Sequence, residues 1–177
     1  MAPKMIDKRM IKDTVLKHKT ELKKNVGVLY HRGSPFSGTV VAYYDSGTTA
    51  ETINYINGKK MGLWKKWFTS GLLSFESPYL DGKQHGVTKS WWKNGNLRSE
   101  STHFKGVLNG IQYKWSNTGE KFKETTVAYG TLKGIQKAWR KNGKLYANFE
   151  VKKGRTFGLK RSNLCYQLKD EEVQFKK

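Results

Sequence analysis

The chain holds one cysteine, Cys165, and three prolines among its 177 residues. A lone thiol excludes an intrachain disulfide framework and fits a reducing compartment. No apolar run approaches the roughly 18 residues that a membrane-spanning helix needs. The opening residues 1–9 lead into more lysine, without the apolar stretch of a secretory signal. Together these absences favour a cytoplasmic chain, with the mature part of an exported protein as the alternative. Acidic residues are scarce too. Fourteen Asp and Glu face 34 Lys and Arg, a formal charge of +20, which draws anionic partners such as nucleic acid, acidic lipid or an acidic protein. The charge is spread along the chain: residues 1–24 hold eight basic against three acidic side chains, and residues 36–158 hold twenty against eight.

Recognisable chemistry is also missing. His18, His31, His85 and His103 show no metal-ligand spacing. Cys165 has no predictable base beside it and reads as a small hydrophobe. No phosphate loop or dinucleotide fingerprint occurs, because the glycines mark turns and not a strand-to-helix junction. The expectation is a chain that is not an enzyme and needs no metal or cofactor.

What is abundant is periodic glycine. Gly38, Gly62, Gly86, Gly110, Gly134 and Gly158 are spaced by 24 residues, and series from Gly47 to Gly143 and from Gly58 to Gly154 keep the same step. Tyr43, Trp67, Trp91, Trp115 and Trp139 follow the first series in register. Within each unit, two segments rich in aromatic and branched residues flank a turn such as Ser70-Gly71, and a second turn such as Asp81-Gly82 leads onward. The pattern predicts an all-β fold: an elongated single-sheet array of tandem 24-residue β-hairpins with irregular terminal caps.

The residue before the first-turn glycine varies as Ser46, Ser70, Asn94, Thr118 and Asn142. Ser and Thr disfavour the positive φ that a two-residue type I′ loop requires. The variation therefore selects a three-residue loop, a type I turn closed by glycine in the left-handed region, which sets Trp67 opposite Leu73. Strict alternation then assigns a buried face to Leu63, Val87, Ile111 and Ile135, to the tryptophans, to Leu73, Leu97 and Leu145, and to Tyr55, Tyr79, Val127 and Val151. The opposite face, with Lys66 and Glu76, reads as solvated except at Trp64, Phe68 and Trp92, the candidate partner-binding residues. Lys65, Lys89 and Lys137 fall between apolar positions of the supposed buried face. Either their stems lie along the tryptophans with the ammonium in water, or the face is a groove in which these lysines are candidate anion-binding residues. Five units and part of a sixth make a ribbon of about 50 to 60 Å, an extended surface instead of a pocket, with no small-molecule substrate expected.

The organisation read from the chain is a basic arm over residues 1–24, a cap strand over 25–35, the hairpin array over 36–158 and a C-terminal cap and tail over 159–177. Ile6, Met10, Val15, Leu16 and Leu22 suggest a short amphipathic helix of weak periodicity in the arm. The segment Gly27–Phe36 reads as a strand and turn about one residue out of register, covering the first hairpin's edge. The tail is expected to finish the last hairpin with residues 164–168.

The unit G-x4-W-x3-G-x10-G-K-x2-G over residues 36–158 resembles the MORN-repeat variant of bacterial proteins often labelled YwqK-type antitoxins, found also in viral and eukaryotic proteins. Gly58-Lys59 and Gly82-Lys83 keep the glycine-lysine pair, whereas Gly106-Val107, Gly130-Thr131 and Gly154-Arg155 depart from it. The resemblance implies a sheet of hairpins that binds proteins or membranes. Residues and resemblance together lead to a non-enzymatic scaffold that binds a protein partner. The alternatives are a module for nucleic acid or anionic lipid, and an antitoxin or immunity protein.

Overall fold

The computed structural model describes residues 13–23, 26–159, 166–169 and 172–175. The chain begins with β1 (Thr14–Leu16), a 3₁₀ turn at Lys17–Lys19, β2 (Glu21–Lys23), β3 (Val28–His31) and β4 (Ser34–Pro35). Five hairpins follow, each with a strand of six to nine residues and a return strand of eight: β5 (Gly38–Tyr43) with β6 (Thr49–Ile56), β8 (Gly62–Trp67) with β9 (Leu73–Leu80), β11 (Gly86–Trp91) with β12 (Leu97–Phe104), β14 (Gly110–Trp115) with β15 (Lys121–Ala128), and β16 (Thr131–Trp139) with β17 (Leu145–Lys152). Two-residue strands β7 (Lys59–Lys60), β10 (Lys83–Gln84) and β13 (Val107–Leu108) fold back on the strand before them, and β18 (Arg155–Leu159) closes the array. One sheet runs β1-β5-β6-β8-β9-β11-β12-β14-β15-β16-β17-β18. Eleven steps at ~4.8 Å give a ribbon of about 50 Å.

The first turn has the geometry that its variable residue requires. The Gly71 amide donates to the Phe68 carbonyl at 2.9 Å and the Phe68 amide to Leu72 at 2.8 Å. Gly71 alone takes positive φ, +83°, in that loop, and Trp67 stands opposite Leu73. The same pairs of bonds recur at Tyr44, Trp92, Ser116 and Arg140.

The second turn differs. Asn57, Asp81, Lys105, Tyr129 and Lys153 all have φ between 47° and 50°, each followed by a glycine of positive φ, the type I′ geometry. These turns stack: the amide of Gly58 donates to Phe36, of Gly82 to Lys60, of Gly106 to Gln84 and of Gly130 to Leu108, at 2.7–2.9 Å.

The buried face is not the one that alternation assigns. Lys66 pairs with Phe75 but Trp67 with Leu73, so Ser74 is an extra residue, and equivalent shifts occur in the other four hairpins. The bulge resets the two-residue period of the return strand. Tyr79 therefore shares a face with Trp64, Lys66, Phe75 and Ser77, while Leu63, Lys65, Trp67, Leu73 and Glu76 share the other. Leu63, Val87, Ile111 and Ile135, expected inside, are 44, 40, 40 and 49 % exposed. The apolar core lies instead where β3 and β4 cover the first hairpin: Leu29, Phe36, Val40, Ile53 and Tyr55 are buried together, with Val15 and Trp64 against them.

Away from this core the same face turns polar and is held by hydrogen bonds. Ser77, fully buried, meets Thr88 Oγ1 at 2.7 Å and Gln84 Nε2 at 3.0 Å. Between Thr125 and Val127 the β15–β16 register shifts. There the buried Gln136 side chain accepts from the Thr126 amide at 3.1 Å and donates to the Thr126 carbonyl at 2.8 Å, replacing ladder bonds that the shift removes.

Both ends depart from expectation. No α-helix occurs among the described residues of the arm, whose residues 4–12 lie outside them: β1 and β2 are strands. The first hairpin's edge is covered by β1, parallel to β5, while β3 pairs with β2 and β4 in a separate three-stranded sheet. Backbone pairing thus outweighs the weak helical period. At the far end, β19 (Tyr166–Lys169) pairs with β20 (Glu172–Phe175) in its own two-stranded sheet and does not complete the last hairpin. Leu164 and Cys165 lie outside the described residues.

Two pairs of variants test this account. A Cβ at Gly58 (φ +74°) would sit 2.6 Å from the Leu29 carbonyl, whereas at Gly143 (φ +78°) nothing lies within 4 Å. Gly143→Ala is expected to lose about 1 kcal/mol from the left-handed backbone alone, and Gly58→Ala clearly more, in urea denaturation. Gln136→Met leaves both Thr126 backbone groups unmet and is expected to cost on the order of 2 kcal/mol; Gln136→Glu, which keeps the acceptor, should show whether the amide bond to the carbonyl is the larger part.

Candidate functional site

Two surfaces carry the expected site residues, one on each side of the sheet. On the open side, each of the second to fifth units presents an aliphatic residue, a central residue and a tryptophan from its first strand, where the first unit has Thr39, Val41 and Tyr43. Lys65 lies opposite Glu76 and Lys89 opposite Glu100, with ion pairs at 3.2 and 3.3 Å. In the next unit Tyr113 takes the lysine's place opposite Glu124, and Lys121 bonds that carboxylate at 3.0 Å. Lys121 also stands 5.3 Å over the Tyr113 ring and 5.0 Å over Trp139. Lys137 faces Asn148 within its hairpin and Glu124 across the β15–β16 ladder. The lysine column is therefore open to solvent, and Lys65 and Lys89 are matched by carboxylates. Such exposed pairs each contribute about 0–1 kcal/mol to stability, so they shape the surface more than they hold the fold.

Phe68 and Trp92 come together at the first-turn edge, lining a shallow depression with Trp91 and Arg98. The Trp92 indole donates to the Trp115 carbonyl at 3.1 Å, and the Arg98 guanidinium lies 4.7 Å over its ring. Tyr44 makes the equivalent link to the Trp67 carbonyl at 2.7 Å. These side chains tie each turn to the next unit, so their aromatic rings are half-buried and only partly available.

Trp64 is not with them. It lies on the opposite face, in a cleft of about 660 Å³ between the β2–β3 strands and the first two hairpins. Its indole donates to Glu51 Oε1 at 2.6 Å, and Lys17 bonds Glu51 Oε2 at 2.5 Å. Phe75 and Tyr79 pack edge-on against its ring. Lys60 Nζ lies 3.9 Å from the Trp64 ring centre and 4.9 Å from that of Tyr79, and Lys66 Nζ 4.5 Å from Trp64. Burial pulls the Lys60 ammonium below the usual lysine range; Lys66 and Lys17 add to this and Glu51 opposes it. Burial, then the Glu51 charge and Tyr79, push the Tyr55 phenol up to about 12. Sequence reasoning missed this cleft because Leu22 comes from the irregular arm and Leu29 from the cap strand, outside the repeat. The one signal was that Glu51, Lys60 and Trp64 are not repeated: Phe75, Gln84 and Thr88 stand one unit on.

The histidines are not assembled. His31 Nδ1 lies 2.8 Å from the Lys19 carbonyl, His85 packs on Phe104, and His103 lies 3.4 Å from Thr88. Among the described residues no group of three His, Cys, Asp or Glu is placed to hold a metal ion.

With unit geometry and spacing in hand, the family comparison has a structural counterpart. Residues 84–105 match the family model described as MORN repeat variant. The matched stretch runs from the end of β10 through the β11–β12 hairpin, nearly one 24-residue unit of the array, and supports a MORN-repeat relationship. Neither the curated proteins nor the solved structures yielded a match.

The raised Tyr55 phenol gives a signed pH dependence. Between pH 10 and about 12 an unfolded chain releases this proton while the folded one keeps it, so stability falls as pH rises through that window. Urea midpoints measured from pH 9 upward are expected to fall less steeply for Tyr55→Phe than for the wild type, with the Tyr79 phenol, also raised by burial, leaving a residual slope.

Proposed function

We propose that this chain is a non-enzymatic repeat scaffold that binds a protein partner within a larger assembly, through the open side of its sheet. The observation that carries the reading is the unit-spaced column of Leu63, Val87, Ile111 and Ile135, each at least 40 % exposed beside half-buried tryptophans. A row of exposed aliphatic side chains bordered by aromatic rings, recurring on one face, is the kind of surface that interaction sites in soluble proteins use. Its neighbours favour a protein over a polyanion. Lys65–Glu76 and Lys89–Glu100 make the surface mixed in sign, whereas a phosphate-binding surface needs unmatched cations. The MORN-repeat match agrees with a scaffold role. A toxin as the partner is the sharper form that the resemblance to YwqK-type proteins suggests.

The test is affinity capture from the native source, with nuclease and at raised salt. A bound protein should persist under both conditions and be lost with Val87→Asp/Ile111→Asp, whose exposed positions predict a melting temperature close to wild type. Equal recovery by the variant would remove the open side from consideration. Loss of all partners with nuclease would favour nucleic acid.

A further inference from the structure

The cleft around Trp64 lies on the opposite side of the sheet from the surface of the proposed scaffold function, and its chemistry is different. Its walls are apolar: Leu22, Leu29 and Ile53 on one side, Trp64 and Tyr79 on the other. Its charge is unbalanced. Three lysines, Lys17, Lys60 and Lys66, line it with a single carboxylate, Glu51. Glu51 is already engaged by Lys17 at 2.5 Å and by the Trp64 indole at 2.6 Å. Lys60 and Lys66 make no ion pair with a described carboxylate, although Glu51 stands across the ladder from Lys66 and its charge reaches Lys60; both ammonium groups lie against the Trp64 ring, and Lys60 also against Tyr79. Each half-buried ammonium, packed against the Trp64 ring, is stabilised by an anion brought into the cleft.

The repeat does not require this arrangement. One unit on, Gln84 takes the place of Lys60, Thr88 that of Trp64 and Ser90 that of Lys66. The fold is built there without the lysines. Lys60 is thus a property of this cleft and not of the hairpin, whereas the Lys66 position carries lysine again two units on, at Lys114.

We propose that the cleft binds a small amphipathic monoanion, its acid group drawn to the Lys60 and Lys66 ammonium groups and its apolar body against Leu22 and Leu29. A volume of about 660 Å³ falls within the range of small-molecule sites, roughly 300–1,000 Å³. The mixture of apolar walls with a few convergent polar groups is also that of such sites. A neutral molecule of the same shape leaves both ammonium groups unmatched, so the site selects for charge as well as shape.

The probe is 2-naphthoate, titrated calorimetrically into the full chain, with 2-naphthylmethanol as its neutral counterpart. The expected result is one equivalent of naphthoate bound, with the alcohol at least about tenfold weaker, since it forgoes the charge-assisted hydrogen bonds to the ammonium groups. Lys60→Gln/Lys66→Ser, which installs the residues of the next unit, should weaken naphthoate about tenfold and leave the alcohol unchanged. Unchanged alcohol binding also reports that the cleft is intact. The proposal is overturned by equal wild-type affinity for the two probes, by naphthoate affinity that survives the double substitution, or by no saturable binding at millimolar concentration. Because the scaffold reading concerns the opposite side, none of these results bears on partner capture.

Discussion

Everything in this array depends on one backbone hydrogen bond, repeated. The amide of the second-turn glycine donates to a carbonyl in the preceding unit, from Gly58 to Phe36 through Gly130 to Leu108. The bond fixes each hairpin's position relative to the last and brings the turn close to its neighbour: the site of a Gly130 Cβ lies 3.3 Å from Val107 Cγ1. Tyr129, Lys105 and Lys153 accept positive φ beside these glycines, a conformation such side chains disfavour by about 1–2 kcal/mol. Stacking of adjacent units outweighs that local preference, as expected of a structure stabilised by contacts between neighbours.

Much of this was legible in the sequence because glycine reports backbone geometry directly. The spacing located every hairpin, and Thr118 and Ser70 before the glycine distinguished the three-residue loop from the tighter one. The identity of the faces was not legible. An extra residue at Ser74 and its equivalents reverses the alternation, and no residue type marks it: Ala50, Ser74, Arg98, Phe122 and Tyr146 hold the position. The covering strand β1 and the Trp64 cleft were hidden for another reason. Both require the non-repeating arm to pack on the first hairpin, and a non-local pairing of three residues leaves no periodic trace.

The two sides of the sheet consequently have separate chemistry. Bulges place the tryptophans and the paired lysines and glutamates on the open side, where an extended partner can lie along several units. The other side begins as a true core, continues through a cationic aromatic cleft and ends in buried amides such as Gln136. Changes on one side can accumulate without disturbing the other, since adjacent residues in a strand point apart.

The placement of that core also gives the molecule a direction. Leu29, Phe36, Val40, Ile53 and Tyr55 lie at one end, while the far units bury only smaller apolar side chains, Val127, Ala138 and Ala147, and lean on the unit before. Order is therefore handed along the chain from the capped end, as in a zipper with a single stop. The free energy of local opening should decline toward β18, making the far hairpins the compliant part of the ribbon and the capped end its anchor.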